Sequence, residues 1–316
     1  MNLDTLIHDI VDYEIPNGVI SIPNEYFKNC YNLVMLDIPD TVENFGDKCF
    51  ENCSSLHSLK LPHNLKTIGE FCFNNCVNLK TIYLPISIKH VSIGSFKNCE
   101  SLLKLRLNNI TRLEDETFHK CSNLEFIELP SSLKQIGKEC FSECKKISSI
   151  KIPINVRKIE DFCFNSCINL KSIDLPDSIK HIGKSCFSYC FNLRSILLSN
   201  SIKKIPESCF YNCINLTSVI IPDSVTSISR YAFWDCDGLK TVVIPNSVKK
   251  LGSHSFHRCN NLKSITIPNS VIEIGNECFY KCINLTTAIL PKKFISESSE
   301  YFIDCFNLKD ILANDK

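Results

Sequence analysis

Apolar residues recur along this chain at one spacing. Phe27, Phe50, Phe73, Phe96, Phe118, Phe141, Phe164, Phe187, Phe210, Phe233, Phe256, Phe279 and Phe302 are each 23 residues apart, except for a 22-residue step from Phe96 to Phe118. Counted from the Phe, position +3 is Cys in every unit, and position +6 is Leu in every unit but one, where Ile147 stands. Positions +9, +11, +15 and +18 are aliphatic almost throughout and +12 is usually Pro, as in Phe164, Cys167, Leu170, Ile173, Leu175, Pro176, Ile179 and Ile182. The segment around +9 to +11 alternates with period two and ends in a residue that cannot donate to a ladder, which predicts one short strand per unit. The Phe, the Cys at +3 and a frequent Cys at −1 have the i, i+3 and i, i+4 offsets of one helical face, which predicts a short helix or 3₁₀ segment on the opposite wall. A unit of 23 residues cannot bury these columns alone, so successive coils must stack, with strands at one phase forming a parallel sheet spaced by about 4.8 Å. The expected fold is an α/β repeat solenoid of about 13 coils, with one parallel sheet and short helical segments on the other wall.

The unit L-x2-I-x-L-P-x2-L-x2-I-G-x3-F-x2-C resembles the BspA-like class of leucine-rich repeats from about Ile10 to Leu312. That resemblance implies a right-handed leucine-rich-repeat superhelix with its sheet on the concave face, and a protein whose work is binding other macromolecules. It also implies a cell-surface habit of recognition or adhesion, with extracellular matrix or another cell as partner. No secretory signal, lipid anchor or apolar run of roughly 20 residues is visible in the sequence, which points instead to the cytosol and to a scaffold or regulatory binding module. Both locations stay open at this point.

The ends and one interior stretch depart from the pattern. Residues 1–26 read as a cap, with Leu3, Leu6, Ile7 and Ile10 at helical spacing ahead of a degenerate coil carrying Tyr13, Ile15, Val19 and Ile22. Residues 27–312 are the solenoid and 313–316 a tail. The coil after Phe279 has Glu297 in an inward column, and the last strand, around Leu308 and Ile311, has little chain after it. An uncovered strand edge templates pairing, so a weak homodimer through this end is expected. Between Leu84 and Phe118 a glycine is displaced to Gly94 and Asn108 replaces the proline, which predicts a local change of curvature.

Charge and chemistry narrow the function. Lys+Arg 35 against Asp+Glu 34 gives a formal charge of +1, so no basic field exists to hold nucleic acid. All 20 Cys lie at +3 or −1, following the repeat rather than a ligand spacing, and read as small buried hydrophobes that favour a reducing compartment. Of the 8 His only His254 and His257 are close in sequence, with no acidic residue beside them at a ligand offset. No phosphate loop, nucleophile elbow or dinucleotide motif is present, and no cofactor, metal or small-molecule substrate is expected: the chain reads as non-enzymatic. Asn recurs at +5 in nine units, including Asn215 and Asn284 of two glycosylation sequons, and reads as a turn residue whose amide bonds neighbouring backbone.

The outward columns carry what is left. Position +10 runs Asp37, Lys60, Tyr83, Arg106, Glu128, Lys151 and Asp174, then turns apolar with Leu197, Ile220 and Val243, followed by Thr266 and Ile289. Position +1 is mostly polar in the early coils and becomes Tyr211, Trp234, His257 and Tyr280. Apolar and aromatic patches of this kind are uncommon unless something covers them. The expectation is a protein partner on Leu197, Ile220, Val243 and Ile289, with Tyr211, Trp234 and Tyr280 as a second surface. In-register ladders that merely stabilise neighbouring coils are the competing reading of both columns.

Overall fold

The computed structural model describes residues 11–314, so the expected cap helix at Leu3, Leu6, Ile7 and Ile10 lies outside the described residues. The chain divides into two compact units, Met1–Val156 and Arg157–Lys316. Each is a parallel-strand β-solenoid, and the turns number about 13 at about 23 residues each.

Most turns supply two short strands where the sequence predicted one. In unit 1 the first ladder runs through Ser58–Leu59, Thr81–Ile82, Lys104–Arg106 and Phe126–Glu128, all parallel. A second ladder joins Ser21–Ile22, Asn44–Phe45, Thr67–Ile68 and His90–Val91 at positions +17 and +18. Unit 2 repeats the plan. Ser218–Ile220 pairs with Thr241–Val243, and Lys204–Ile205, Ser227–Ile228, Lys250–Leu251 and Glu273–Ile274 form the second ladder. Each register step equals the repeat length, as in Ile220 opposite Val243. The period-two rule therefore holds twice per turn, and the second strand was hidden by its length of only two residues.

The expected helical wall is instead a run of turns, and the reason is backbone conformation. Positions −2 and +2 are left-handed in turn after turn: Glu25 (φ 59), Asn29 (φ 63), Lys48 (φ 54) and Asn52 (φ 64) in unit 1, Ser185 (φ 52), Tyr189 (φ 60), Ser208 (φ 53) and Asn212 (φ 62) in unit 2. Two left-handed residues four positions apart, one on either side of the Phe, cannot continue a helix. They let N–H groups alternate between two partners. Lys28 and Cys30 donate back within their own turn to Glu25 and Phe27, while Phe27 and Asn29 donate to Cys49 and Glu51 of the next turn at 2.8 Å. The displaced Gly94 occupies the −2 position with φ 58, the conformation that position demands and glycine adopts without strain. The only helices among the described residues are the short segments Lys292–Phe294 and Ser298–Tyr301, in the turn where the repeat decays.

The core is one column per inward position. Phe rings at position 0 are fully buried and stack on their neighbours, at 5.3 Å for Phe27 on Phe50 and 5.2 Å for Phe50 on Phe73 in unit 1. In unit 2 the spacings include 5.2 Å for Phe210 on Phe233 and 5.1 Å for Phe233 on Phe256. Burying each ring is worth roughly 1.5–3 kcal/mol, with about 0.5–1.5 kcal/mol more for the aromatic pairing. Glycine at +19 allows the turns this close an approach: a Cβ on Gly183 would come within 2.2 Å of the Asp161 backbone nitrogen.

The one-residue deletion after Phe96 is absorbed in the corner. Asn109, left-handed at φ 53, replaces the four-residue proline turn seen where Val42 N–H donates to Pro39. Phe96 still stacks on Phe118 at 5.6 Å, but the second ladder stops at His90–Val91 and resumes as Arg112–Leu113 with Gln135–Ile136.

Candidate functional site

Unit 2 places the outward strand residues on one face, since +9 and +11 are inward. Leu197, Ile220 and Val243 are 55%, 76% and 75% exposed and occupy the same phase of consecutive turns. Ile289 shares the phase but is separated from them by exposed Thr266, and it is half-buried with Leu312 of the last strand opposite it. Thus three of the four predicted +10 residues form one apolar strip and the fourth stands apart. Two positions earlier on the same strands are Ser172, Ser195, Ser218, Thr241, Ser264 and Thr287, a column of small hydroxyls that the sequence reading did not single out. At +7, just ahead of these strands, Lys171, Arg194, Lys240 and Lys263 are exposed. The strip is therefore apolar, bordered by hydroxyls and then by cations. A groove of about 800 Å³, lined by Val243, Thr241, Thr266, Asn246 and Asn269, continues from it and is closed on one side by Asn314. Asn314 is tied down: its Nδ2 donates to Ile267 O at 3.1 Å, and Asn269 Nδ2 donates to its carbonyl at 3.2 Å.

The aromatic column is differently built. Tyr211, Trp234 and Tyr280 are half-buried, and their faces cover one another through His257. Tyr211 lies 5.9 Å from Trp234, Trp234 only 3.5 Å from His257 at an interplanar angle of 5°, and His257 4.6 Å from Tyr280. His257 is 6% exposed, and burial, His254, Arg258 and Lys281 push its pKa down to about 4, so the ring is neutral at pH 7. His254 stacks on Tyr231 at 5.2 Å, and its Nδ1 stands 3.5 Å from a Glu277 carboxylate oxygen. His254, His257 and Glu277 each offer a donor atom within 4.8 Å of the others. The sequence showed no acidic residue near the two histidines, yet Glu277 is 23 residues after His254, which in a solenoid means the next turn. That offset was the available signal.

The thiols have a more specific role than filling space. All 20 are buried, and among the described residues none is joined in a disulfide. The Cys at +3 donates its S–H to the carbonyl of the preceding turn's Phe, as Cys76 to Phe50 at 3.1 Å and Cys213 to Phe187 at 3.1 Å. Burial pushes interior thiols up, Cys278 to about 12 and Cys186 in the same direction. The Asn column at +5 behaves as expected: Asn192, Asn215 and Asn261 donate Nδ2 to the carbonyls of Ile168, Phe191 and Asp237 one turn back. Unit 1 adds an amide ladder at +2 in which Asn52, Asn75 and Asn98 each donate to the side chain of the Asn before, at 2.7–2.8 Å.

At the C-terminal end, Asp310–Ala313 pairs with Thr287–Leu290 through one edge, and all four of its residues are exposed. No helix among the described residues is long and apolar enough to cross a membrane.

Comparison with known proteins agrees with this geometry. The model of the BspA type leucine rich repeat region matches residues 7–125, 111–240 and 235–316. A leucine-rich repeat protein from Bacteroides ovatus is 30% identical with a TM-score of 0.74, over 95% of this chain and 92% of that one. The pneumococcal vaccine antigen PcpA is 21% identical with a TM-score of 0.60, over 97% and 80%. A leucine-rich repeat protein from Eubacterium ventriosum is 22% identical with a TM-score of 0.57, over 85% and 82%. Among curated proteins none matches the chain.

Proposed function

This chain belongs to the BspA-type leucine-rich-repeat family, and from that premise we propose that it binds a protein partner through the outward strand face of unit 2, in recognition or adhesion at a cell surface. The contiguous exposure of Leu197, Ile220 and Val243 carries the reading. Side chains of this size left in water along three successive strands represent apolar area that a partner can remove, at roughly 25 cal/mol per Å². The bordering hydroxyls and the exposed Lys171, Arg194, Lys240 and Lys263 specify the complement: a protein segment of apolar residues flanked by carboxylates. Nothing in this arrangement performs bond chemistry.

Free thiols ordinarily favour a reducing compartment, which would suit an intracellular scaffold using the same face. Burial weakens that objection to an oxidising exterior. Thiolate is the reactive form, and desolvation holds interior sulfurs such as Cys186 and Cys213 protonated and out of reach of oxidants.

Two experiments test the two parts separately. Against a peptide array of apolar segments flanked by Asp and Glu or by Lys, the chain is expected to select the acidic set. The double variant Ile220→Lys with Val243→Lys should lose at least about tenfold in affinity, the loss expected from removing hot-spot residues, with unchanged unfolding. Equal binding by the variant removes the face from the assignment. Intact cells treated with a membrane-impermeant amine reagent should yield labelled chain. Labelling only after lysis moves the protein inside and leaves the binding face standing.

A further inference from the structure

We propose that His254, His257 and Glu277 form a binding site for one divalent transition-metal ion of the zinc type, tying two adjacent turns of unit 2 together and leaving at least one coordination position for solvent. The donor set comes first. Two imidazoles and a carboxylate suit zinc, cobalt, nickel or copper far better than calcium or magnesium, which take oxygen ligands. The donor atoms lie within 4.8 Å of one another, and His254 Nδ1 to Glu277 Oε2 is already 3.5 Å. A tetrahedral zinc with bonds of about 2.0–2.1 Å holds its ligands about 3.3 Å apart, so closure needs a small rotation of the third donor.

The second observation is independent of the spacing. Nδ1 of His257 and Nδ1 of His254 are both buried without a hydrogen-bond partner. His257 is 6% exposed, and no neighbouring side chain bonds its Nδ1. Buried ring nitrogens are normally satisfied, and an unsatisfied one costs about 1–3 kcal/mol. Two histidines with an unpartnered buried nitrogen, each offering a donor to one cluster with a carboxylate, have a common explanation in a shared cation.

The surroundings orient the donors without blocking them. Trp234 and Tyr280 lie on the two faces of His257, and Tyr231 on a face of His254. A metal approaches an imidazole in the ring plane along the nitrogen lone pair, so face stacking fixes the ring and leaves that direction open. The nearby thiol does not compete: Cys259 Sγ donates to Phe233 O at 3.3 Å. The neighbouring cations are engaged. Arg258 Nε is 3.3 Å from Asp235, and Lys281 Nζ sits 5.1 Å from the centre of the Tyr280 ring.

The chain has 1 Trp, Trp234, in contact with a proposed ligand, so its fluorescence reports directly on the site. The full chain, stripped with a chelator and exchanged into metal-free buffer, is titrated with Zn²⁺ and Co²⁺, and bound metal is counted after gel filtration. One equivalent is expected, with a saturable change in Trp234 emission, a rise in Tm with Zn²⁺, and Co²⁺ absorption of nitrogen and oxygen ligation. Glu277→Gln keeps size and backbone and should weaken binding at least about tenfold, the minimum seen even for outer-shell changes. His257→Phe preserves the stack while deleting the donor and should do at least the same. Binding unchanged in both variants, no retained metal in the wild type, or strong sulfur-to-cobalt charge-transfer absorption would each overturn the site.

Discussion

Units 1 and 2 have the same interior and different exteriors, and the difference shows which columns the repeat constrains. At position +10, unit 1 pairs charge across turns: Arg106 Nε and Nη2 reach the Glu128 carboxylate at 3.0 and 3.1 Å. Unit 2 opens with Asp174 and then has Leu197, Ile220 and Val243 there. At position +1, unit 1 has Lys28 between Glu25 and Glu51, Lys97 against Glu116, and Asn74 donating to Glu51. Unit 2 has the Tyr211, Trp234, His257 and Tyr280 stack. At position +2, where the backbone is left-handed, unit 1 begins with four consecutive Asn before Lys120 and Glu143, whereas unit 2 mixes Asn212, Asp235 and Asp304 with Ser166, Tyr189, Arg258 and Lys281 and forms no amide run. Unit 1 spends many of its outward positions on contacts between its own turns, and its exposed apolar residues, such as Met35, Tyr83 and Phe126, are interspersed with charge. Unit 2 leaves three successive apolar residues of its first strand face unspent, the pattern expected where surface serves something beyond the fold.

The largest effects should not distinguish the units at all. Phe73→Ala and Phe233→Ala each remove a fully buried, doubly stacked ring, and each should cost about 3–5 kcal/mol in urea unfolding. A cost in unit 2 far below that in unit 1 would mean that the inward columns are not equivalent, and the comparison fails at its base.

Position +2 sharpens the contrast at a smaller scale. Asn52→Ala breaks the amide bonds to Asn29 and from Asn75 and leaves alanine at φ 64, so a loss of about 2–4 kcal/mol is expected from two hydrogen bonds and the left-handed penalty. In unit 2, Ser166→Asn, at φ 58, relieves strain without completing a ladder and should stabilise by a few tenths of a kcal/mol. Denaturant midpoints of the two variants check both signs. If Asn52→Ala is neutral, the ladder is an incidental arrangement of surface amides.

These columns also show what was readable from sequence. Phe at 0, Cys at +3 and Leu at +6 announce themselves because thirteen in-phase copies outweigh any single ambiguity. The wall was misread as helical because i, i+3 spacing of Phe and Cys is shared by helices and by successive turns. The Asn run at Asn29, Asn52, Asn75 and Asn98 held the correcting signal, since four asparagines at one phase mark a left-handed backbone. The exposed strip was legible at Leu197, Ile220 and Val243 because alternation fixes which strand residues face out. Ile289 was assigned to the strip on phase alone, although the last strand around Leu308 and Ile311, read from the same repeat, lies beside it. Glu277 was missed because it neighbours His254 in space while standing 23 residues away along the chain.

Thiol chemistry separates interior turns from the last one. Cys305 is held below the ordinary thiol range by the Cys282 thiol beside it, while burial pushes Cys213 up. Cys305 also lies where a single terminal strand covers the core, so fraying exposes it, whereas Cys213 needs opening of its unit. Under native conditions an alkylating reagent should reach Cys305 more than about a hundredfold faster than Cys213, read by peptide mass. Equal rates would show that the core beneath the C-terminal strand is as closed as the interior.

The smallest expected effect returns to position +1, with a histidine of unit 1. His119 has a buried Nδ1 and a pKa lowered by burial and by Lys97, against the opposing pull of Glu139, Glu143 and Glu116. In the unfolded chain the ring titrates near its ordinary value of about 6.5. Between that value and the lower folded one, the unfolded state holds a proton that the folded state does not, so stability must fall as pH drops through this window and level off above it. His119→Asn should flatten that part of the pH dependence, seen as a smaller difference in urea midpoint between pH 7.5 and pH 5.5 than in the parent. An unchanged difference would assign the slope to groups elsewhere. It would also mean that the ion pairs around His119 keep it as titratable as a surface imidazole, so that unit 1 differs from unit 2 at this position in electrostatics as well as in stacking.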